Sequence, residues 1–179
     1  QPITLRDYQI TIVNKFLNTP HCLQEIATGA GKTLITAALS ERVEQYGRSI
    51  VIVPNKDLVR QTADDYANLG LDVGVYFGDK KQIGHTHTIC TWQSLNSIRK
   101  RFRDGLDELS LHEFTENVTC VIVDEVHQAK ADVLKDLLTK EFAHIPLRWG
   151  LTGTIPKADH EKVSLQACLG EVTNRLSAS

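Results

Sequence analysis

Short apolar runs alternate along the chain with longer stretches in which apolar residues recur at helical spacing. The runs are rich in β-branched residues and predict six strands, at residues 22–26, 49–53, 73–77, 88–91, 118–123 and 148–152. Strands that alternate with helices are typical of the crossovers that build a mainly parallel sheet. The pattern therefore predicts an α/β domain with a doubly wound sheet and helices on both of its faces.

Capping residues mark the ends of two of the helical stretches. Residues 33–46 end before Gly47, which suits a helix C-terminus, and residues 55–69 begin at Asn55, a good N-cap, and end before Gly70. In doubly wound sheets, ligands bind at the carboxyl ends of the strands. The residues that directly follow the strands are therefore the first candidates for chemistry.

Size and charge limit the architecture and the partners. The chain has 179 residues and a mass of 20.0 kDa, which is enough for one well-packed domain, and we expect residues 1–179 to form that single domain. The formal net charge of -2 gives no general basic surface. Any contact with nucleic acid must therefore be local.

The cysteines and the apolar segments indicate a soluble protein of the cytoplasm. Cys22, Cys90, Cys120 and Cys168 form no C-x-x-C pair, and at least two of them lie in strand-like runs, which favours buried, reduced thiols. No apolar run reaches the roughly 18 residues that a membrane-spanning helix needs. The chain contains no methionine, from which we expect a fragment or a processed product.

A glycine-rich loop, ATGAGKT, follows the first predicted strand and precedes a helical stretch. Gly29 and Gly31 allow successive backbone N–H groups to converge on an anion, and the positive end of the next helix points to the same place. Lys32 can reach β- and γ-phosphates, and the Thr33 hydroxyl can bind Mg²⁺. An isoleucine stands where the general pattern has its first glycine, but the position between strand and helix still indicates a nucleoside triphosphate site.

Two acidic residues follow the predicted strand at residues 118–123. In VIVDEVH, a strand buried on both faces would deliver Asp124 and Glu125 to the sheet edge that carries the glycine-rich loop. Asp124 can then hold Mg²⁺ through water, and Glu125 can orient the water that attacks the γ-phosphate. Alternatively, both acids only complement the positive end of a following helix. The upstream phosphate loop favours the catalytic interpretation.

These segments, together with others in the same order, resemble the motifs of superfamily 2 helicases and translocases. ATGAGKT and DEVH are similar to motifs I and II, and LRDYQ is similar to the Q-type motif. VPNKDLVRQ resembles motif Ia, TWQSL resembles a segment that contacts nucleic acid, and LTGT resembles motif III with glycine in place of the usual alanine. The resemblance covers residues 5–154. It implies a RecA-like domain that binds and hydrolyses ATP with Mg²⁺.

The resemblance also implies a role for each matched residue. Gln9 would read the adenine, and the catalytic set would comprise Glu125, Asp124, Lys32 and His127, with His127 coupling the γ-phosphate to motif III. The phosphates would be held by Thr28, Gly29, Ala30, Gly31, Lys32 and Thr33, and Mg²⁺ by Thr33 and Asp124. Nucleotide state would be coupled to nucleic acid by Thr152, Gly153 and Thr154. Nucleic acid would be contacted by Pro54, Asn55, Lys56, Arg60, Thr91, Trp92 and Gln93.

Within the superfamily, the motifs look nearest to phage recombination and repair helicases of the UvsW type and to translocase subunits of restriction enzymes. This resemblance implies DNA as the partner and a second RecA-like domain, absent from this chain, that supplies arginines to the ATP site. An RNA helicase, a restriction translocase subunit and a nucleotide-dependent binding module without turnover stay open as alternatives. A phosphate-loop kinase is disfavoured because no acceptor site or lid segment is recognisable.

Three further features allow a functional and a structural interpretation. His85, His87 and Cys90 have a spacing that metal ligands can adopt, but no fourth ligand is near and the context is a strand. Residues 99–110 begin with four cations in five positions, which could face phosphate, although a solvated helix face is the commoner arrangement. Trp92 could stack on a base, but an aromatic residue after a strand more often packs in the core.

Overall fold

The computed structural model describes residues 3–26, 31–128, 131–153 and 172–176. Helices lie at Asp7–Leu17 (α1), Lys32–Val43 (α2), Lys56–Asn68 (α3), Trp92–Arg103 (α4), Leu111–Phe114 (α5) and Ala131–Thr139 (α6), with a 3-10 turn at Val126–Gln128. Strands lie at His21–Ile26 (β1), Arg48–Val53 (β2), Val73–Phe77 (β3), Lys80–Lys81 (β4), His87–Thr91 (β5), Val118–Asp124 (β6), Leu147–Thr152 (β7) and Val172–Leu176 (β8).

All six predicted strands are present, each within one residue of its predicted bounds. The helix predicted at residues 33–46 is shorter, because α2 ends at Val43 and a turn continues the chain to Gly47. The helix predicted at residues 55–69 is α3, and the Asn55 side chain caps it by accepting a hydrogen bond from the Leu58 backbone N–H at 2.9 Å.

The described strands form one sheet in the order β4-β3-β5-β2-β6-β7-β1-β8. Every neighbouring pair is parallel except β3 and β4, which form a short antiparallel hairpin. Three strands that lie side by side, β6, β7 and β1, carry the segments predicted to bind nucleotide. Because they are parallel, their carboxyl ends meet at one edge of the sheet.

Helices cover both faces of the sheet, as the doubly wound pattern predicts. The side chains of α1, α2 and α3 form one core cluster with the inner residues of the strands, and those of α4, α5 and α6 form a second cluster on the opposite face. Strand β2 contributes to both, since Val51 belongs to the first cluster and Ile52 to the second. A strand buried on both faces needs a continuous apolar run, which explains the sequence signal.

A chain of buried polar groups crosses the first face behind α2. Ser40 Oγ and Tyr66 Oη are 2.7 Å apart, and Ser40 also accepts a bond from Ser49 Oγ at 3.5 Å. Ser49 in turn lies 2.6 Å from Nδ1 of His87, whose Nε2 is 3.4 Å from Glu44. The hydrogen bonds satisfy the buried hydroxyls of Ser40, Ser49 and Tyr66, whereas His87 Nε2 has no hydrogen-bond partner among the described residues. These contacts tie α2 and α3 to strands β2 and β5.

The histidines and cysteines with metal-like spacing do not come together. His85 lies 2.8 Å from Asp72, whereas His87 packs edge-on against Tyr66 on the first face and Cys90 belongs to the core of the second. In the described ranges, no three His, Cys, Asp or Glu side chains form a group that could hold a metal ion.

Cys90 and Cys120 are free and buried, as predicted, Cys22 is also buried, and Cys168 lies outside the described residues. Burial raises the pKa of the Cys90 and Cys120 thiols far above its ordinary value, which keeps both protonated. None of the helices described is both long and apolar enough to cross a membrane.

Candidate nucleotide and nucleic-acid sites

The carboxyl ends of β1, β6 and β7 form the centre of the first candidate site. In the ladder, Asp124 of β6 pairs with Leu151 of β7, and Thr152 of β7 pairs with Glu25 of β1. The phosphate loop follows β1, so it starts beside the end of β7 and one strand away from Asp124. The sheet therefore brings together three segments that are far apart in sequence.

Lys32, at the start of α2, contacts both acids of the DEVH segment. Its Nζ lies 3.5 Å from Asp124 Oδ1 and pairs directly with Glu125 Oε1. The three side chains are only 14%, 10% and 16% exposed, respectively, so the ion pairs are screened less by water than surface pairs are. The predicted catalytic residues Lys32, Asp124 and Glu125 thus form one cluster.

Backbone geometry in this cluster departs from ordinary helix and strand conformations at two positions. Gly31, the N-cap of α2, has φ +74°, and Glu125 has φ +53°, in the left-handed region that residues other than glycine rarely adopt. Such strain persists where surrounding contacts hold it and is concentrated at functional sites. At Glu125 it turns the chain sharply after β6 and leaves the carboxylate beside Lys32.

Gln9 of α1 packs against the end of the phosphate loop. It is only 4% exposed, and its Oε1 accepts a hydrogen bond from the Arg6 backbone N–H at 2.9 Å. A Cβ atom at position 31 would collide with Gln9 Nε2. The positive φ favours glycine at position 31, and a Cβ there would also require the Gln9 side chain to shift. The structure places Gln9 beside Gly31 at the start of α2, and its contact with adenine stays a prediction.

A cavity of about 660 Å³ opens next to this cluster. Besides residues 31–34, Asp124 and Glu125, it is lined by one face of α3, formed by Leu58, Gln61, Asp65, Asn68 and Leu69. Sequence reasoning missed this face apart from Leu58 and Gln61, which belong to the segment that resembles motif Ia. Its spacing of three and four residues is helical, but periodicity does not tell which face of a helix meets a ligand. Burial, with a contribution from Asp64, raises the pKa of Asp65 above its ordinary value.

The oxygen atoms around this cavity fit Mg²⁺. Thr33 offers a hydroxyl and Asp124 a carboxylate, and both line the cavity. Mg²⁺ prefers such hard oxygen ligands and is commonly held by one or two protein groups together with phosphates and water. The donor set thus agrees with the predicted metal ligands Thr33 and Asp124.

Four of the predicted site residues, and one further side chain, lie outside the described part of the chain. They are Thr28, Gly29, Ala30 and Thr154, and the side chain of His127. The remaining residues of the motif III segment are described. Thr152 is fully buried and Gly153 is half-buried, at the end of β7 between the phosphate-loop strand and the acidic strand.

A second concave surface lies at the same edge of the sheet, beyond the carboxyl ends of β2, β3 and β5. We call it the motif groove, a cavity of about 530 Å³. Five of the seven predicted nucleic-acid residues line it, namely Pro54, Asn55, Lys56, Thr91 and Gln93. Sequence reasoning missed the residues of the β3–β4 hairpin, namely Tyr76, Phe77, Gly78 and Lys81. Arg101 of α4, which belongs to the basic stretch at residues 99–110, also lines the groove.

Two of the groove residues also cap helices. Asn55 Oδ1 caps α3, and Thr91 Oγ1 accepts a hydrogen bond from the Ser94 backbone N–H at 3.2 Å at the start of α4. The positive ends of α3 and α4 are therefore both at the motif groove, where they favour an anion. Together with Lys56, they suit the phosphates of a nucleic-acid backbone.

The other two predicted nucleic-acid residues do not line the motif groove. The Arg60 guanidinium lies over the Phe77 ring at 5.2 Å and pairs with Asp57 at 3.4 Å, so it supports the groove wall from behind. Trp92 is half-buried and packs against the second core cluster, and its Nε1 has no hydrogen-bond partner among the described residues. This placement favours the structural interpretation of Trp92 over base stacking.

A parallel sheet that joins a phosphate-loop lysine to two carboxylates at one edge defines a nucleotide-binding domain of the RecA-like class. The sequence profile described as "Type III restriction enzyme, res subunit" matches residues 2–157, and the chain belongs to this family. The predicted resemblance to superfamily 2 helicases is thereby confirmed.

Individual relatives agree with this assignment. The chain is 28% identical over 173 residues to "DNA 3'-5' helicase XPB" of Kineococcus radiotolerans, and the match covers 93% of this chain and 29% of the relative. The crystal structure of the UvsW helicase from bacteriophage T4 is similar with a TM-score of 0.77 and 20% identity, over 97% of this chain and 61% of that one. The Hef helicase domain of Pyrococcus furiosus is similar with a TM-score of 0.74 and 26% identity, over 95% of this chain and 38% of that one.

Proposed function

We propose that this chain is the ATP-hydrolysing motor domain of a DNA helicase or translocase. The observation that carries the proposal is the contact of Lys32 with Asp124 and Glu125 at the sheet edge that also bears the motif groove. One edge of the sheet thus offers a triphosphate site and an anion-binding groove side by side. The XPB relative named as a DNA helicase supports DNA as the partner, although the chain spans only 29% of its length.

The contacts of Lys32 define its part in binding. Its ammonium group is paired with two carboxylates, which together carry one more charge than it does. When a triphosphate enters, the phosphates compete with these carboxylates for Lys32, and Lys32 then binds the β- and γ-phosphates. Bound Mg²⁺ would supply positive charge to the phosphate oxygens, and Thr33 and Asp124 are the residues that would hold it.

The other side chains divide the remaining steps. Gln9 contacts the adenine, and the loop from Thr28 to Thr33 holds the phosphates. Glu125, freed from Lys32, orients the attacking water and accepts its proton, a contribution typically worth about 10²- to 10⁴-fold in rate. Thr152, Gly153 and Thr154 pass the nucleotide state to the motif groove, with His127 between them and the γ-phosphate.

We further propose that a second RecA-like domain completes the ATP site in the full protein. In phosphoryl transfer, arginines supplied from a neighbouring domain commonly stabilise the charge of the transition state. Among the described residues that line the nucleotide cavity, Lys32 is the one cation. The isolated domain should therefore bind ATP but hydrolyse it slowly.

The first experiment measures ATP hydrolysis with and without single-stranded DNA, branched DNA and RNA, for this chain and for a longer protein that includes any downstream domain. Stimulation by DNA in the longer protein is the expected result. Stimulation by RNA alone would instead identify an RNA helicase. Binding of ATP without hydrolysis in either protein would indicate a nucleotide-dependent binding module.

Two substitutions test the residue roles. Lys32→Ala should abolish triphosphate binding, whereas Glu125→Gln should retain ATP and block turnover, because the amide cannot accept the proton. Glu113→Gln, at an exposed position on α5, is the matched control and should leave both properties unchanged. Normal turnover by Glu125→Gln would show that the water-activating role is wrong.

A further inference from the structure

The motif groove extends beyond the motif segments to a basic end formed by Lys81 and Arg101. Both line the groove together with Pro54, Lys56 and Thr91, although neither belongs to a segment that resembles a helicase motif. Lys81 comes from the two-residue strand β4, and Arg101 comes from the last turn of α4. Two cations from separate elements thus face one concave surface.

The register of the β3–β4 hairpin decides which lysine faces the groove. Lys81 pairs with Tyr76, whereas Lys80 pairs with Phe77. Because directly opposed residues share a face of the sheet, Lys81 lies on the face that carries α4, and Lys80 lies on the face that carries α3. Lys80 has the same charge and is also exposed, but it does not line the groove.

The arginines of α4 are likewise distinguished by their partners. Arg99 is held by Glu141 at 2.6 Å and Asp136 at 3.2 Å, so it joins α4 to the segment around α6. Arg103 pairs with its neighbour Asp104 at 3.4 Å. Arg101 lines the groove with 45% of its side chain exposed.

One acid, Asp107, also lines this end of the groove. Its carboxylate lies 3.8 Å from Arg101 and accepts a hydrogen bond from the Leu109 backbone N–H at 3.2 Å. That hydrogen bond, with smaller contributions from nearby cations including Arg101 and Lys81, holds the pKa of Asp107 below its ordinary value. Asp107 is therefore a fixed negative charge beside the two cations.

We propose that Lys81 and Arg101 bind a phosphate of the nucleic-acid strand next to the part held by the motif segments, and that Asp107 takes the place of this phosphate when no strand is bound. The proposal rests on the proposed function and extends its binding site. Charge complementarity identifies the occupant as a sugar–phosphate backbone, which Arg and Lys contact without reading sequence.

The test measures binding of the full protein to a fluorescein-labelled oligothymidylate by anisotropy over a range of salt concentrations. Each phosphate contact on a single strand adds about 0.7 to the slope of log affinity against log salt, which corresponds to about fivefold in affinity between 0.1 M and 1 M salt. Because both side chains contact one phosphate, Lys81→Ala and Arg101→Ala should each weaken binding by about two- to fivefold at 0.1 M salt and reduce the slope by about 0.3–0.7. Lys80→Ala and Arg103→Ala are the matched controls and should bind as the unmodified protein does.

Asp107→Asn provides a test in the opposite direction. The amide oxygen can still accept the Leu109 N–H bond, so the turn is retained while the competing charge is removed. Binding should become tighter by about two- to fivefold at low salt and unchanged at high salt. A merely structural role for Asp107 predicts no gain.

The outcomes separate this inference from the proposed function. If Lys56→Ala weakens binding but Lys81→Ala and Arg101→Ala match their controls, the strand does not reach this end of the groove and the inference is wrong. If the unmodified protein binds no nucleic acid, both proposals fail. Melting temperatures of all variants exclude unfolding as the cause of any loss.

Discussion

Replacing Lys32 by alanine should destabilise the folded protein even when no nucleotide is present. The substitution leaves Asp124 and Glu125 as neighbouring negative charges with side chains only 10% and 16% exposed. The Lys32–Asp124 attraction at 3.5 Å amounts to about 5 kcal/mol in an effective dielectric of about 20, before desolvation is subtracted. Removing one partner of a fully buried pair costs about 3–5 kcal/mol. For this partly hydrated cluster we expect a loss of about 2–4 kcal/mol in the free energy of unfolding.

A double-mutant cycle with Glu125→Gln tests the arithmetic of the three charges. Glu125→Gln alone removes one attraction, to Lys32, and one repulsion, from Asp124, so its effect should stay within about 1 kcal/mol. In the Lys32→Ala background it removes the repulsion from Asp124 without the loss of an attraction to Lys32. The double variant should therefore be more stable than Lys32→Ala by about 1–2 kcal/mol.

Urea unfolding followed by circular dichroism measures these differences in nucleotide-free protein. Lys56→Ala, at an exposed position on α3, is the matched control and should change the stability by less than about 0.5 kcal/mol. The reasoning is refuted if Lys32→Ala unfolds at the same urea concentration as this control. It is also refuted if Glu125→Gln gives no gain in the Lys32→Ala background.

Three other predictions concern the support of the site. Gly31→Ala should lower the free energy of unfolding by about 1–3 kcal/mol and weaken ATP binding in titration calorimetry. Both effects should be larger than those of Gly70→Ala, since Gly70 has a similar φ but open space around its Cβ position. Trp149→Phe should cost about 1–3 kcal/mol in urea unfolding, because the partly buried Thr19 carbonyl loses its hydrogen bond and the fully buried ring becomes smaller. Trp92→Phe, which loses no hydrogen bond among the described residues, should cost less. Burial lowers the pKa of His87 below the value of 6.5 that it has in the unfolded chain. Neutral His87 therefore contributes its full stability above pH 6.5, and this contribution decreases as the pH falls below 6.5. His87→Gln should flatten this decrease between about pH 7.5 and 5, as measured by melting temperature.

The central strands were predictable because burial on both faces leaves an uninterrupted apolar run. Strand β4 was not, because it consists of two exposed lysines and exists only through its pairing with β3. Helix α2 is shorter than predicted because a non-helical turn replaces its last turn before Gly47. A glycine after a helix sets the latest residue at which the helix can end, but the helix can end earlier.

The cluster of Lys32, Asp124 and Glu125 was predictable from its residue types, since a phosphate-loop lysine and two acids after a buried strand meet at the carboxyl edge of a parallel sheet. The walls of both cavities were not. The basic stretch at residues 99–110 shows why, because its arginines have three different environments: Arg99 joins α6, Arg101 lines the motif groove and Arg103 pairs with its neighbour. Neither of the two predicted interpretations, a phosphate-facing patch or a solvated helix face, describes the whole stretch. The partner of each side chain depends on the face of α4 to which it belongs and on elements that are distant in sequence.

Helix α3 lies between the two candidate sites and contributes to both. Its first turn, with Asn55 as cap and Lys56, lines the motif groove, while Leu58, Gln61 and Asp65 line the nucleotide cavity. A helix packed on a sheet moves as a rigid body more readily than it bends. A shift of α3 on phosphate binding in the nucleotide cavity would therefore also move its N-cap at the motif groove. Helix α3 is therefore a candidate coupling element beside the motif III segment. A single helix that lines both cavities is the kind of contiguous physical connection that a nucleotide-driven motor needs.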